Sequence, residues 1–290
     1  MERDRVIAVL GATGAQGGGV VGSLEDQNEF RVRALTRDPG SAVGIADEVA
    51  RADLDDLESL VAAFDGAYGV FATINSFGSP DTDEVAQGRR VVEAASQAGV
   101  THFVWSTLPD VSTLSDGRYT VAHFTNKATI DSIVAQAEFP YFTFVEAPFY
   151  YQNLLTPWYQ PTPGPDGKPT ISQPMPSDAR CLHVGDIAEL GQVVAGAFTH
   201  PEVVGSGQHL ALAGDLVSWD DIISTMQGLG IDVTYYEDPE DTWGIRDMLG
   251  YFTDYTYFGP DADTKIANAK SVSAKPFTDF PTWAAKHLNA

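Results

Sequence analysis

The sequence predicts an α/β protein: a doubly wound parallel sheet followed by a smaller C-terminal α/β domain. Three observations support this. Residues 6–22, VIAVLGATGAQGGGVVG, pass from a β-branched apolar run into closely spaced glycines and then a small-residue segment, the order strand, tight turn, helix. Strand-like and helical patterns then alternate as far as Tyr151, which implies a parallel sheet with helices on both faces and right-handed crossovers. Beyond Tyr151 the alternation stops and proline and glycine become frequent.

The first strand is expected at Arg5–Leu10 and its helix at Gln16–Leu24. Strands follow at Arg31–Leu35 and, more briefly, Glu48–Arg51. A helix near Asp56–Phe64 leads to a strand at Ala67–Ala72, and a helix near Glu84–Ala98 to a strand at His102–Ser106. A helix near Thr120–Ala137 precedes the strand Tyr141–Glu146. Pro165-Asp166-Gly167 signals a turn. Asp186 is placed to cap a helix running to Phe198, and a strand is expected near Gln208–Ala213. Ser218 and Asp221 have the spacing of a capping box. The remainder is aromatic, with Trp243, Tyr251, Phe252, Tyr255, Tyr257 and Phe258. Residues 1–155 therefore form the predicted nucleotide-binding domain, with parts of 180–205 returning to it. Residues 156–290 form a smaller lobe over the cleft, for a substrate or a partner.

The glycine turn carries the chemistry. Gly11, Gly14 and Gly17 let the backbone approach a pyrophosphate, whose charge meets the helix N-terminus. Thr13, Ala15 and Gln16 complete that loop. A site for NAD(H) usually places a carboxylate about 20 positions beyond the glycines, on the ribose 2′-hydroxyl. Here Thr36 and Arg37 end the second strand. A carboxylate would repel a 2′-phosphate, whereas a guanidinium bonds it in a fork. The expected cofactor is NADP(H) in preference to NAD(H), although Asp38 follows directly.

Ligands of such sheets bind at the carboxyl ends of the strands. Asp53 and Leu54 follow the third strand and suit the adenine. Thr73 follows the fourth and suits the nicotinamide ribose. Pro148, Tyr150 and Asn153 follow the sixth and suit the nicotinamide pocket, although core packing would explain the aromatic residues there equally well. Many reductases of this fold use Tyr-x-x-x-Lys, in which the lysine lowers the tyrosine pKa and holds the ribose. No lysine here has a tyrosine four positions earlier. The nearest match is His123-Phe-Thr-Asn-Lys127, whose ends share one helix face. Lys127 is the expected cofactor contact, and Lys127 with His123 are the candidate catalytic residues. Ser106 and Thr107 are expected across from them. The remaining histidines show no metal-ligand spacing.

The net charge is −23, from 40 acidic and 17 basic residues. Such a chain is a poor fit for direct binding to nucleic acid or an anionic membrane. Its lysines are confined to positions 127, 168, 265, 270, 275 and 286. That composition suits solubility at high salt, where self-repulsion is screened, and equally an ordinary acidic protein. One cysteine, Cys181, excludes a disulfide framework. With no apolar leader in MERDRV and no span-length apolar run, a cytoplasmic location is expected.

These motifs resemble the NmrA-like family, an atypical branch of the short-chain dehydrogenase/reductase superfamily. The matching segments are GATGAQGG at 11–18, Thr36 to Pro39, His123 with Lys127, Pro148 with Tyr150 and Asn153 to Leu155, Val184 with Asp186, and the closing helix from Trp283. The likeness is strongest to the redox-sensor branch. It implies an NADP(H)-preferring Rossmann fold with a small C-terminal domain. It also implies one of two functions. Some members sense the nicotinamide pool and bind protein partners, GATA-type transcription factors among them. Others reduce quinones, dyes or phenolic compounds. The missing tyrosine suits the sensor, which is the primary expectation, and an acidic surface suits a basic protein partner. The alternative is an NADPH-dependent reductase of a small quinone-like or carbonyl substrate.

Overall fold

β1 (Val6–Leu10) is buried along its whole length, and its side chains alternate between two cores. Ile7 and Val9 enter one, and Ala8 and Leu10 the other, the period of two that a strand imposes. This computed structural model describes residues 3–75, 82–242 and 244–288. Trp243, one of the aromatic residues noted above, lies outside them.

The chain continues through α1 (Ala15–Gln27), β2 (Arg31–Thr36), β3 (Glu48–Arg51), α2 (Leu57–Phe64) and β4 (Ala67–Ala72). Next come α3 (Glu84–Gln97), β5 (His102–Thr107), α4 (Val111–Leu114), α5 (Ala122–Gln136) and β6 (Tyr141–Glu146). Aspartates start several of these helices. Asp56 accepts the Ser59 N–H at 3.1 Å and Asp83 the Ala86 N–H at 2.9 Å, caps that each contribute about 1 kcal/mol.

The second half contains β7 (Phe149–Tyr150), β8 (Thr162–Pro163), β9 (Pro169–Gln173), β10 (Leu182–Gly185), α6 (Leu190–Thr199) and α7 (Pro201–Val204). It ends with β11 (Ser206–Ala211), β12 (Asp215–Val217), α8 (Trp219–Gly228), β13 (Thr234–Glu237), α9 (Arg246–Tyr255), α10 (Ala262–Val272) and α11 (Phe280–His287). Asp186 caps a 3-10 turn that leads into α6, and Ser218 with Asp221 forms the capping box of α8.

Seven strands form one parallel sheet in the order β11-β6-β5-β4-β1-β2-β3. Val20, Val21 and Leu24 of α1 share a core with Val193, Val194 and Phe198 of α6 on one face. α2, α3 and α5 cover the other through Leu60, Val91 and Ile130. The strand that lengthens the sheet is β11, which lies beyond the 180–205 stretch expected to return. Within that stretch α6 packs on the sheet, but β10 joins β7 and β12 in a separate one. β8, β9 and β13 make a third, small sheet.

A third core holds the C-terminal half together. It includes Phe149, Tyr151, Trp219, Phe252, Phe280 and Trp283. Cys181 is buried there, and that burial pushes its thiol up to about 12. Among the described residues no helix is long and apolar enough to cross a membrane.

Candidate functional site

The order of the sheet reverses between β4 and β1, and the carboxyl ends of these two strands open the crevice where such folds bind ligands. The glycine turn stands at its centre. Gly11 has φ +72°, a conformation that only glycine adopts cheaply, and its carbonyl accepts the Gly14 N–H at 2.9 Å. Gly14 gives α1 no side-chain cap, so the helix presents its first-turn N–H groups and positive end uncovered. A Cβ on Gly17 would lie 2.2 Å from Gly11 O, so helix and turn touch backbone to backbone. Thr13, Gly14 and Ala15 are exposed. This is a cradle for an anion, and it fits a pyrophosphate.

On the β2 side, a cavity of about 410 Å³ runs between Ala12, Thr13, Gly18 and Ile45. Arg37 is exposed, with no ion-pair partner among the described residues. Asp38 is committed differently from its neighbour. Its carboxylate accepts the Gly40 N–H at 3.0 Å and caps the turn at Pro39–Ala42. Thr36 is half-buried, and its hydroxyl meets the Asp38 N–H at 3.3 Å. Asp53 accepts the Asp55 N–H at 3.1 Å, and the Leu54 carbonyl takes the Arg90 guanidinium at 2.9 Å.

On the β4–β6 side, the ends of β5 and β7 are joined through the first turn of α1 by one chain of hydrogen bonds. Ser106 Oγ donates to Gln16 Oε1 at 2.7 Å, and Gln16 Nε2 donates to the Tyr150 hydroxyl at 2.8 Å. Burial raises the Tyr150 pKa, against the Gln16 bond, so the phenol keeps its proton. Thr73 Cγ2 would be 3.2 Å from a Cβ on Gly11. Pro148 is buried against Gly185. Asn153 contributes through its carbonyl, which takes the Thr156 N–H and hydroxyl at 2.9 and 2.7 Å.

Lys127 lies buried on α5. Its Nζ donates to Glu84 Oε1 and to the Ile74 carbonyl, each at 2.6 Å, and stands 5.5 Å from the Trp105 ring centre. Burial lowers its pKa while the Glu84 charge opposes the shift. His123, one turn earlier, packs edge-on against Phe124 with ring centres 4.9 Å apart. Burial first, then the Lys127 charge, pushes its pKa down to about 4, so it is neutral at pH 7. Ser106 turns to the opposite face of the sheet from α5, toward Gln16. Only Thr107 faces α5, where its hydrogen bond opposes the rise that burial imposes on the Asp131 carboxyl.

Three buried carboxylates carry no sequence signal of their burial: Glu84, Asp131 and Glu146. Asp131 continues the His123–Lys127 stripe by one turn, and its Oδ1 has no partner among the described residues. Glu146 ends β6 and is fully buried; it binds His209 Nδ1 at 2.8 Å and Lys265 Nζ at 3.0 Å. Burial pushes its carboxyl up, but those two partners outweigh it and leave the pKa below the usual value.

Residues 3–277 match the model of the NmrA-like family. The chain is 31% identical to an NmrA-like family domain-containing oxidoreductase of Aspergillus hancockii, over 90% of this chain and 87% of that one. Its fold is similar to that of the negative transcriptional regulator NmrA, solved in complex with NADP, at TM-score 0.80 and 22% identity, covering 99% and 96% of the two chains. It is also similar to the NADPH-dependent quinone oxidoreductase QOR2 of Escherichia coli, at TM-score 0.68 and 19% identity, covering 97% and 99%.

Proposed function

The chain belongs to the NmrA-like family, and on that premise we propose that it binds NADP(H) and acts as a redox-responsive regulator. The observation that carries the reading is the cradle at β1 with an exposed Arg37 beside it that has no ion-pair partner among the described residues. Residues 11–17 would hold the pyrophosphate at the α1 N-terminus. Arg37 would take the 2′-phosphate, and Asp38 spends one carboxylate oxygen on a helical cap rather than on a ribose hydroxyl. Thr73, Lys127 and Tyr150 would border the nicotinamide half.

The regulator is favoured by what surrounds Lys127. His123 is held neutral, and the lysine itself is engaged by Glu84 and a carbonyl. Binding and a conformational response need no proton donor, only a difference in affinity between two states of the protein. A net charge of −23 suits a basic protein partner.

A second reading is an NADPH-dependent reductase, favoured by the curated relative's name as an oxidoreductase and by the Tyr150 phenol. When bound, the cofactor supplies a hydride. Tyr150, oriented by Gln16, would donate a hydrogen bond to a quinone or carbonyl oxygen. Purified protein is to be titrated with NADPH and then assayed for loss of NADPH absorbance against quinones, aldehydes and phenolic ketones. Tight binding without turnover supports the regulator. Turnover that disappears in Lys127→Ala makes the protein a reductase. Failure to bind NADPH overturns both readings.

A further inference from the structure

Lys127 is anchored by two groups that flank the segment after β4. The Ile74 carbonyl lies two residues beyond the end of the strand, and Glu84 is the first residue of α3. The two acceptors hold the ammonium at the crevice edge of the sheet, on the side away from Arg37. An ammonium has three N–H donors. Two are used here, and the third has no acceptor among the described residues. The exposure of the pair is uneven: the Lys127 side chain keeps 10% of its surface accessible and Glu84 none. The accessible part of the pair is therefore on the lysine, whose side chain leans toward the N-terminus of α5 and hence toward the crevice.

We infer that Glu84 is a positioning residue of the dinucleotide site: it holds Lys127 so that the remaining N–H faces the place a nicotinamide ribose would occupy. The inference rests on the NADP(H)-binding reading and adds a residue to it. A lysine buried this deeply would shed its proton or swing away without a counter-ion. Glu84 opposes both, since burial lowers the Lys127 pKa and Glu84 raises it. Asp131, one turn further along α5, adds a smaller contribution of the same sign. The bland alternative is that the pair merely ties α3 to α5, as a buried ion pair can.

The test compares two ligands. NADPH spans the whole site, whereas 2′,5′-ADP fills only the adenine half. Affinities for both are to be measured by calorimetry on the wild type, Glu84→Gln, Lys127→Met and the double variant. A positioning role predicts that Glu84→Gln weakens NADPH by about tenfold, because a charge-assisted contact is lost, while 2′,5′-ADP changes by less than about twofold. It also predicts that Glu84→Gln has no further effect once Lys127 is methionine. Equal weakening of both ligands, or additive effects in the double variant, overturns the inference and leaves a structural ion pair. If Glu84→Gln yields too little folded protein, Glu84→Asp, which keeps the charge but withdraws it from Lys127 by one methylene, carries the same two-ligand comparison. NADPH affinity unchanged in Glu84→Gln refutes the inference alone, and a wild type that binds 2′,5′-ADP but not NADPH refutes the NADP(H)-binding reading on which it rests. One that binds neither refutes the dinucleotide reading itself.

Discussion

Gly17, Gly18 and Gly22 all lie in α1, and alanine should affect each differently. In a helix interior alanine is more favourable than glycine by about 1 kcal/mol. Among the described residues a new Cβ at Gly22 meets nothing within 4 Å, and at Gly18 the nearest atom is Ala12 O at 3.6 Å, an ordinary contact. Both substitutions should stabilise by roughly 0.5–1 kcal/mol. At Gly17 the Cβ would meet Gly11 O at 2.2 Å, Gly11 C at 2.5 Å and Ala12 N at 2.9 Å, all backbone. Relief requires the turn to retreat by roughly 1 Å from the helix in a close-packed setting. Overpacking of this kind costs about 1–3 kcal/mol, which cancels or exceeds the propensity gain. The turn that moves is the anion cradle, so Gly17→Ala should lose NADPH affinity by more than its loss of stability would suggest. Urea denaturation and NADPH fluorescence on the three variants measure both quantities. Wild-type NADPH affinity in Gly17→Ala would refute the close-approach argument, and a destabilised Gly22→Ala would refute the propensity argument.

Arg37→Ala should weaken NADPH far more than NADH, because only the former carries the 2′-phosphate; calorimetry showing equal weakening would refute the assignment. His102 donates through Nε2 to Thr143 Oγ1, whose own proton goes to the Val204 carbonyl, and its buried Nδ1 has no partner among the described residues. Burial pushes its pKa down to about 3, so below its ordinary 6.5 the unfolded chain takes up a proton that the folded chain refuses. Stability contributed by this group is therefore intact above pH 6.5 and lost as pH falls toward 3, by about 2 kcal/mol at pH 5. His102→Leu should flatten that acid limb in denaturation curves taken from pH 7 to 5, and an unchanged limb would count against it. The charge of −23 predicts a melting temperature that climbs as KCl rises toward molar levels; a flat curve would leave an ordinary acidic protein.

The strands of the main sheet were legible because they are short apolar runs in a regular alternation. Glu48–Arg51, Ala67–Ala72 and Tyr141–Glu146 coincide with the expected spans. β11 begins two residues earlier than its apolar pattern suggests. Its register against β6 shifts between Ser206 and His209, around a Gly207 with φ +84°, and a bulged strand has no clean period of two. The small strands β7, β8 and β12 have two or three residues each, too few for any periodicity to register. At the site, the glycine turn and Lys127 carry motif signals because their spacing is local. Glu84 sits 43 residues from the lysine it binds, and Lys265 sits 119 residues from Glu146. In sequence Glu84 resembles any first-turn helix acid, and only the tertiary structure brings it to a buried partner.

Cys181 has a use that its buried chemistry does not suggest. It is the single thiol of the chain, lies in the C-terminal core at 3% exposure, and resists ionisation where it sits. A maleimide can reach it only when that core opens, so the labelling rate clocks the opening of the C-terminal half and ignores the main sheet. A shift of that rate on adding NADPH would reveal, without any engineered probe, whether cofactor at the glycine turn steadies the C-terminal core.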